Sequence, residues 1–423
     1  MLTSIVGINW GDEGKGRMVD LLSREQDIVV RYQGGNNAGH TVVNERGKFI
    51  LNLLPSGILR PEVVCVMGNG MAIDLAHLDR EIGALRERGV KITPENLKIS
   101  DRAVLTLPYH VQLDCLEEER LAGEAYGSTR RGIAPVYSDK YAKKCIRMGD
   151  LLDMDYTARR LRGIVEYKSL MIEGVYHAKA QSYEEILDWL RHYADLFRDY
   201  ITDTGLYLTR ANAEGKRIMF EAQLGALRDI DFGIYPYTSS SSTIASYGPI
   251  GAGVPGLKLD RTVGIMKAYS SCVGEGPFTV EDKEASGDAL RQAGGEYGAA
   301  TGRPRRVGPF DAVASSYGIR VQGADEIALT KLDVLSYLDE IRICVAYDIN
   351  GTRTRDFPMG DALNAAKPVY ETMPGWKCDI SACRKKEDLP AEARRYIERI
   401  EELTGARITY VSVGADRDAY LRF

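Results

Sequence analysis

Tryptophan and histidine are scarce, at three and five residues in a chain of 423. The seven cysteines contain no CxxC pair, and the two nearest in sequence are Cys378 and Cys383. That spacing speaks against a zinc ribbon and against a disulfide framework. Nowhere do about 18 apolar residues follow one another, so no stretch reads as a membrane-spanning helix. The opening Met1-Leu2-Thr3-Ser4 has no basic segment of the kind that begins a secretory signal. Neither sign of charge dominates: 55 basic against 60 acidic residues leave a net charge of -5, which speaks against a nucleic-acid-coating surface. The expectation is a soluble, reduced, cytoplasmic protein that contacts neither nucleic acid nor membrane. What the chain has in excess is glycine, 43 residues, or about 10% against a usual value near 7%.

The glycines fall after short apolar runs. Ile5-Val6-Gly7-Ile8 leads into Trp10-Gly11-Asp12-Glu13-Gly14-Lys15-Gly16, with a helix expected from Arg17 to Ser23. Ile28 to Tyr32 leads into Gly34-Gly35-Asn36-Asn37-Ala38-Gly39-His40, and Val63 to Met67 into Gly68-Asn69-Gly70 before a helix starting near Asp74. The first ninety residues therefore read as three βα units. Runs of four to six apolar residues without alternation fit strands buried on both faces of a parallel sheet. Loops at the carboxyl ends of such strands are where α/β folds bind ligands. Further strands are expected at Ile218–Phe220, Ile327–Thr330 and Ile408–Val411, with helices opened by Ser182 and Pro390. No internal repeat or composition break divides the chain. The expected fold is a large, mostly parallel α/β sheet flanked by helices, one body over 1–423, like a P-loop NTPase in outline but without a Walker A motif.

Gly11 to Arg17 is the sharpest motif. Glycines let backbone N–H groups approach phosphate oxygens, and the following helix presents its positive end. Lys15 adds a point charge. A Walker A loop would need Ser or Thr after the lysine, where Gly16 stands. Among phosphate-binding groups a carboxylate such as Asp12 is out of place unless it holds magnesium or acts as a base; the plainer alternative is a tight turn with a solvated Asp-Glu pair. His40, after a glycine-asparagine loop, reads as an acid or phosphoryl donor, or else as a structural histidine. Thr330-Lys331-Leu332-Asp333 resembles the guanine-reading motif of GTPases, since a carboxylate can accept from guanine N1–H and N2–H₂ together. The basic loops at 298–306 and 128–132 fit anion recognition and solvated turns equally well.

Taken in order, WGDEGKG, GGNNAGHT, GSTRRGIAPVYSDK, DIDFGIYP, KAYSSCVGEGPF, ATGRPRR, ALTKLDVL, MPGW and SVG resemble the adenylosuccinate synthetase family, from about Ile5 to Arg417. The resemblance implies a GTP-dependent ligase: O6 of IMP is phosphorylated by GTP, and the amine of L-aspartate then displaces phosphate at C6. It implies Asp12 as base and magnesium ligand, the Gly39 carbonyl as a second ligand to Mg²⁺, His40 as acid, and Lys15 as a catalytic cation. For GTP it implies Gly11, Glu13, Gly14, Lys15, Gly16, Arg17, Gly39, Thr41 and Arg305 around the phosphates, and Lys331, Leu332, Asp333, Ser412 and Gly414 around guanine. For IMP it implies Asn37, Ala38, Thr129, Leu224, Ser239 and Arg303, with Lys143 reaching across a homodimer. The aspartate loop would comprise Ala299, Ala300, Thr301 and Gly302 with Arg303 and Arg305.

Departures from the family pattern gather on the IMP side. The family's FEGAQG reads Phe220-Glu221-Ala222-Gln223-Leu224-Gly225, so Leu224 stands where the IMP-binding glutamine is expected. Lys143 replaces an arginine, Ser239 a threonine, Ser242 an asparagine, Ala300 a threonine, and Arg17 a lysine. These substitutions motivate one alternative, a paralogous ligase with a GMP or dGMP acceptor, and the Thr330–Asp333 motif supports a second, a non-catalytic GTP-binding protein.

Overall fold

The computed structural model describes residues 1–44, 47–298, 302–416 and 418–423. Among them a ten-stranded sheet forms the frame. Its strands, numbered in chain order, are β1 (Leu2–Gly7), β2 (Ile28–Arg31), β3 (Val64–Met67), β4 (Leu97–Ser100), β5 (Ile201–Thr202), β6 (Ile218–Glu221), β7 (Arg261–Lys267), β8 (Glu326–Thr330), β9 (Ile408–Ser412) and β10 (Tyr420–Arg422). They lie in the order β10-β9-β8-β7-β1-β6-β2-β3-β4-β5. Every neighbour pair is parallel except β9 with β10, which is antiparallel. Every residue of β1, β2, β6 and β9 is buried, as unalternating apolar runs require.

Local signals place the helices. The helix Lys15–Leu22 follows Gly14, whose φ of 93° a side chain would resist. Asp74 caps Leu75–Glu87 by accepting from the His77 amide at 3.0 Å. Ser182 and Glu185 close a capping box on Tyr183–Phe197. Ala391–Thr404 begins after Pro390 and stops at Gly405, φ 70°.

The expectation of three βα units is corrected at the second. Between β2 and β3 the chain forms a hairpin, His40–Asn44 with Gly47–Leu51, followed by a single 3₁₀ turn at Ser56–Leu59. Val42, Phe49 and Leu51 are buried while Val43 and Ile50 are exposed, the period-two pattern of a half-covered ribbon. His40 therefore starts a strand and does not merely end a loop. The strand β7, lying directly beside β1, is an element that the reading of the sequence did not single out.

Candidate active site

Six adjacent strands, β9-β8-β7-β1-β6-β2, send their carboxyl-end loops to one edge of the sheet. At about 4.8 Å per strand this edge spans roughly 24 Å. The order brings together residues separated by up to four hundred positions. Lys331–Asp333 and Ser412–Gly414 lie on one flank, the Gly11–Gly16 loop lies at the centre, and Gly34–His40 with Gln223–Gly225 lie on the other.

The central loop is built around Glu13. Its buried carboxylate accepts from the backbone N–H of Asn9 at 3.1 Å and of Gly11 at 2.8 Å, and pairs with Lys15 Nζ at 2.5 Å. A Cβ on Gly7 would lie 2.6 Å from that carboxylate and one on Gly225 equally close, so glycine is required at both places. Glu13 thus faces inward and shapes the loop, and Lys15, 3% exposed, begins life paired. Thr330 ties β8 to the loop by donating to the Glu13 carbonyl at 2.6 Å. Asp12 stands at the mouth in the left-handed region, φ 58°, with its side chain about a third exposed.

Beside Asp12 lies a charge hub that the sequence motifs do not announce. Glu296 is fully buried and takes Lys267 at 2.8 Å, Lys331 at 3.0 Å and Arg305 at 2.8 Å, together with the Tyr269 hydroxyl. Burial works against its charge, but the three cations outweigh that and hold the carboxyl well below the usual carboxylate range. Arg305 also lies 3.3 Å from Asp12 Oδ2, so the guanidinium bridges the hub to the loop mouth. Lys331, φ 60°, turns its ammonium into the hub and also donates to the Gly294 carbonyl at 2.6 Å. Asp333 is half-buried, and burial pushes its carboxyl up although Arg17 and Lys331 oppose the shift. Leu332 is buried.

Arg17 points away from the loop's interior. Its guanidinium donates to Ser412 Oγ at 2.8 Å, to the Ala419 carbonyl at 3.0 Å, and to the carbonyls of Gly414 and Asp416. It clamps the C-terminal segment to the first helix.

On the opposite flank His40 is buried, its Nδ1 hydrogen-bonded to Glu221 at the end of β6. Glu221 also accepts from the Ser56 amide and hydroxyl, each at 2.7 Å. Burial draws the imidazole pKa down, and Glu221 opposes that shift. His40 Nε2 is buried and has no hydrogen-bond partner among the described residues. The hairpin packs close to the central loop: a Cβ on Gly16 would lie 3.0 Å from His40 Cβ and 3.2 Å from the Thr41 carbonyl. Gly39, at the hairpin's start, is exposed.

The remaining expected residues divide. Asn37 Oδ1 accepts from the Gly35 amide at 3.2 Å, and the Ala38 carbonyl accepts from Asn52 at 3.1 Å. Leu224, φ 59°, lays its side chain toward Gly11. Ser239 is buried and shares a hydrogen bond with Ser241, whose hydroxyl donates to Gln33 at 2.9 Å. Thr129 is exposed on a loop held by Asp114, which accepts from Ser128 at 2.7 Å and Gly132 at 2.8 Å. Arg303 reaches Glu275 at 3.0 Å, and the Gly298 amide closes that loop on the Arg303 carbonyl at 2.8 Å. Gly302 has φ 67°, while Ala299, Ala300 and Thr301 lie outside the described residues. Lys143 is exposed, φ 63°. Glu221, Glu296 and Lys267 were the groups sequence reasoning missed, and Glu13, expected beside the GTP phosphates, turns its carboxylate inward onto the loop. Glu221 sits inside the quoted FEAQLG segment and Glu13 inside WGDEGKG, but nothing in the linear order tells which carboxylate turns inward.

A parallel α/β sheet carrying a glycine loop, a poised carboxylate and a buried imidazole along its carboxyl edge defines an enzyme of the nucleotide-handling α/β class. The model of the family described as adenylosuccinate synthetase matches residues 4–421, and the chain belongs to that family of ligases. It is 48% identical over 414 residues to the adenylosuccinate synthetase of Pelotomaculum thermopropionicum, covering 98% of this chain and 96% of that one. A fully ligated adenylosuccinate synthetase structure from Plasmodium falciparum superimposes with a TM-score of 0.93 at 35% identity, over 100% of this chain and 99% of that one. The succinoaminodeoxyadenylate synthetase of cyanophage S-2L, bound to dGMP and dATP, shares the fold at a TM-score of 0.61 and 20% identity, over 100% of this chain and 95% of that one. Among the described residues no helix is long and apolar enough to cross a membrane.

Proposed function

We propose that the chain is a GTP-dependent ligase joining IMP and L-aspartate to give adenylosuccinate, GDP and phosphate through a 6-phosphoryl-IMP intermediate. The observation that carries this reading is the placement of Asp12 at the mouth of the glycine loop, with His40 on the hairpin packed against that loop and oriented by Glu221 at the end of β6. The 45–48% identities to synthetases of this name favour IMP over GMP or dGMP as acceptor. An intact carboxylate and imidazole likewise speak against a non-catalytic relative.

The chemistry follows from the groups. Asp12 removes the N1 proton of IMP, which puts negative charge on O6. O6 attacks the γ-phosphoryl of GTP, the bond to the β-phosphate oxygen breaks, and GDP departs. His40, with Nδ1 committed to Glu221, has Nε2 left for the transferring oxygen; anionic oxygens near it raise its proton affinity, opposing the depression that burial imposes. The aspartate amine then attacks C6, the C6–O bond breaks, phosphate leaves, and the nitrogen loses a proton. Lys331, Leu332 and Asp333 with Ser412 and Gly414 take guanine. Asn37, Ala38, Thr129, Leu224, Ser239 and Arg303 take IMP, and the loop 299–302 with Arg303 and Arg305 takes aspartate. Lys143 serves the neighbouring copy of a homodimer. The whole chain acts as one catalytic body in the cytoplasm.

Among the described residues no three His, Cys, Asp or Glu side chains gather to hold a metal by themselves. One carboxylate, Asp12, with the exposed Gly39 backbone fits Mg²⁺, which binds few protein groups and takes phosphate oxygens and water for the rest. Bound there, it supplies charge neutralisation along the phosphate chain.

Turnover with IMP, GMP and dGMP as alternative acceptors tests the reading. GDP, phosphate and adenylosuccinate should appear together and only with IMP. Absence of product from IMP would overturn it, and product from dGMP or GMP alone would move the assignment to the other acceptor.

A further inference from the structure

The segment Ala222-Gln223-Leu224-Gly225, where the family's glutamine position holds Leu224, follows β6 directly and lies against the loop that follows β2. Its amide now sits one residue early. Gln223 is fully buried, and both Nε2 protons are spent on backbone carbonyls: Gly35 at 2.7 Å and Asn52 at 3.1 Å. Gln33 Nε2 donates to the Gln223 carbonyl at 2.8 Å, and Gln33 Oε1 accepts from Ser241, the partner of Ser239. Asn52 in turn donates to the Ala38 carbonyl at 3.1 Å. A Cβ on Gly34 would lie 1.9 Å from Gln223 Oε1, so only glycine leaves room for this amide. The Gln223 side chain thus joins the 33–38 loop to Asn52, while its backbone carbonyl meets the serine loop at 239–241 through Gln33.

The neighbouring position does something different. Leu224 has φ 59°, a conformation that costs an ordinary residue free energy and is kept only where surroundings demand it. That turn directs an apolar side chain toward Gly11 and the Asp12 loop. Leu224 has no donor or acceptor to offer a purine, whereas Gln223 has no donor left to give.

We propose that Gln223 is the positioning residue of the acceptor nucleotide in this enzyme. Its side chain holds both ends of the Gly34–Ala38 loop in register with Asn52, at Gly35 directly and at Ala38 through Asn52, so that recognition rests on that preset loop and not on an amide at position 224, which supplies only an apolar wall. This rests on the acceptor-side assignment made above. A shift of one residue after a strand reverses the side chain's face, which is why one glutamine cannot do both jobs.

The test is steady-state kinetics on Gln223→Glu, Leu224→Gln and the double variant, with acceptor and GTP varied separately. Gln223→Glu keeps the shape and turns two donors into an acceptor facing two carbonyls. It should raise KM for the acceptor by about tenfold or more while KM for GTP stays within about twofold. Adding Leu224→Gln should not restore it. Equal rises in both KM values, no change in either, or rescue by Leu224→Gln would overturn the proposal. If Gln223→Glu fails to fold, Gln223→Met, which lacks donors but not volume, gives the same comparison. Product formation by the unaltered enzyme with IMP is scored separately. Should that fail while another purine monophosphate works, the ratio of KM changes measured on that purine still decides the role of Gln223.

Discussion

Asp12 and Asp311 are both carboxylates near the ends of strands, yet their surroundings set them to different work. Asp12 is partly exposed and faces Arg305, a setting that suits the role of base proposed for it. Asp12→Asn should cut product formation by about a thousandfold or more while GTP affinity stays within a few-fold, as read by single-turnover chemistry beside equilibrium GTP binding. Surviving turnover would remove Asp12 as the base. Asp311 instead caps Ala312–Gln322, accepting from the Ala314 amide at 3.0 Å and the Tyr347 hydroxyl at 2.5 Å, and burial pushes its carboxyl up to about 6. The folded value lies above the ordinary 3.8, so the folded state binds this proton more tightly than the unfolded chain. That contribution is complete below about pH 4 and is lost as pH rises through about 6, a penalty on the order of 3 kcal/mol at neutral pH. Asp311→Asn keeps an acceptor for the cap without the buried charge. Its stability relative to the parent, from urea unfolding, should therefore be greater at pH 8 than at pH 5; an equal difference at both would refute this.

At the scale of elements, the helix after the glycine loop serves two flanks. Its amino end faces the loop, and Arg17 on its first turn holds the 412–419 segment through several backbone and hydroxyl oxygens. A planar fork can satisfy several oxygens at once, which an ammonium on a flexible stem does less well. Arg17→Lys, though it restores the family's residue, should raise KM for GTP by about tenfold and leave KM for IMP unchanged. Comparable GTP kinetics in the two proteins would mean the clamp is dispensable. Elements also explain what was readable beforehand. The unalternating runs of β1, β2, β6, β8 and β9, the capping box at Ser182 and the stop at Gly405 are short-range signals, so their positions were visible in the sequence. The hairpin His40–Asn44 with Gly47–Leu51 was not. Its alternation is short, and a helix is the more common partner of a buried parallel strand.

For the molecule as a whole, the sheet order decides the arrangement of substrates. β8 and β9 lie on one side of β1, and β6 and β2 on the other, so the guanine-type motif and the acceptor loops are forced apart with the phosphate-type loop between them. Lys143 lies exposed, which fits a residue supplied to a second copy. Lys143→Ala mixed with Asp12→Asn should recover up to about a quarter of the parent's turnover, through mixed dimers with one complete site. No recovery over either variant alone, in a mixture shown to exchange subunits, would count against the shared site.

What the sequence determined by itself was chemistry and local form: which loops are rich in glycine, which carboxylate and imidazole accompany them, which runs are buried on both faces, and the family whose motifs they carry. Those properties depend on neighbours within a few residues. Only the tertiary structure decided which groups become partners. Glu221 orients His40 across 181 positions, Glu296 gathers Lys267, Arg305 and Lys331, and Arg17 reaches the C-terminal segment 395 positions away. Gln223, not residue 224, was likewise revealed as the buried amide only when β6 was set beside β2. A buried charge or amide is stable only where opposing groups meet it, and the strand order settles that meeting.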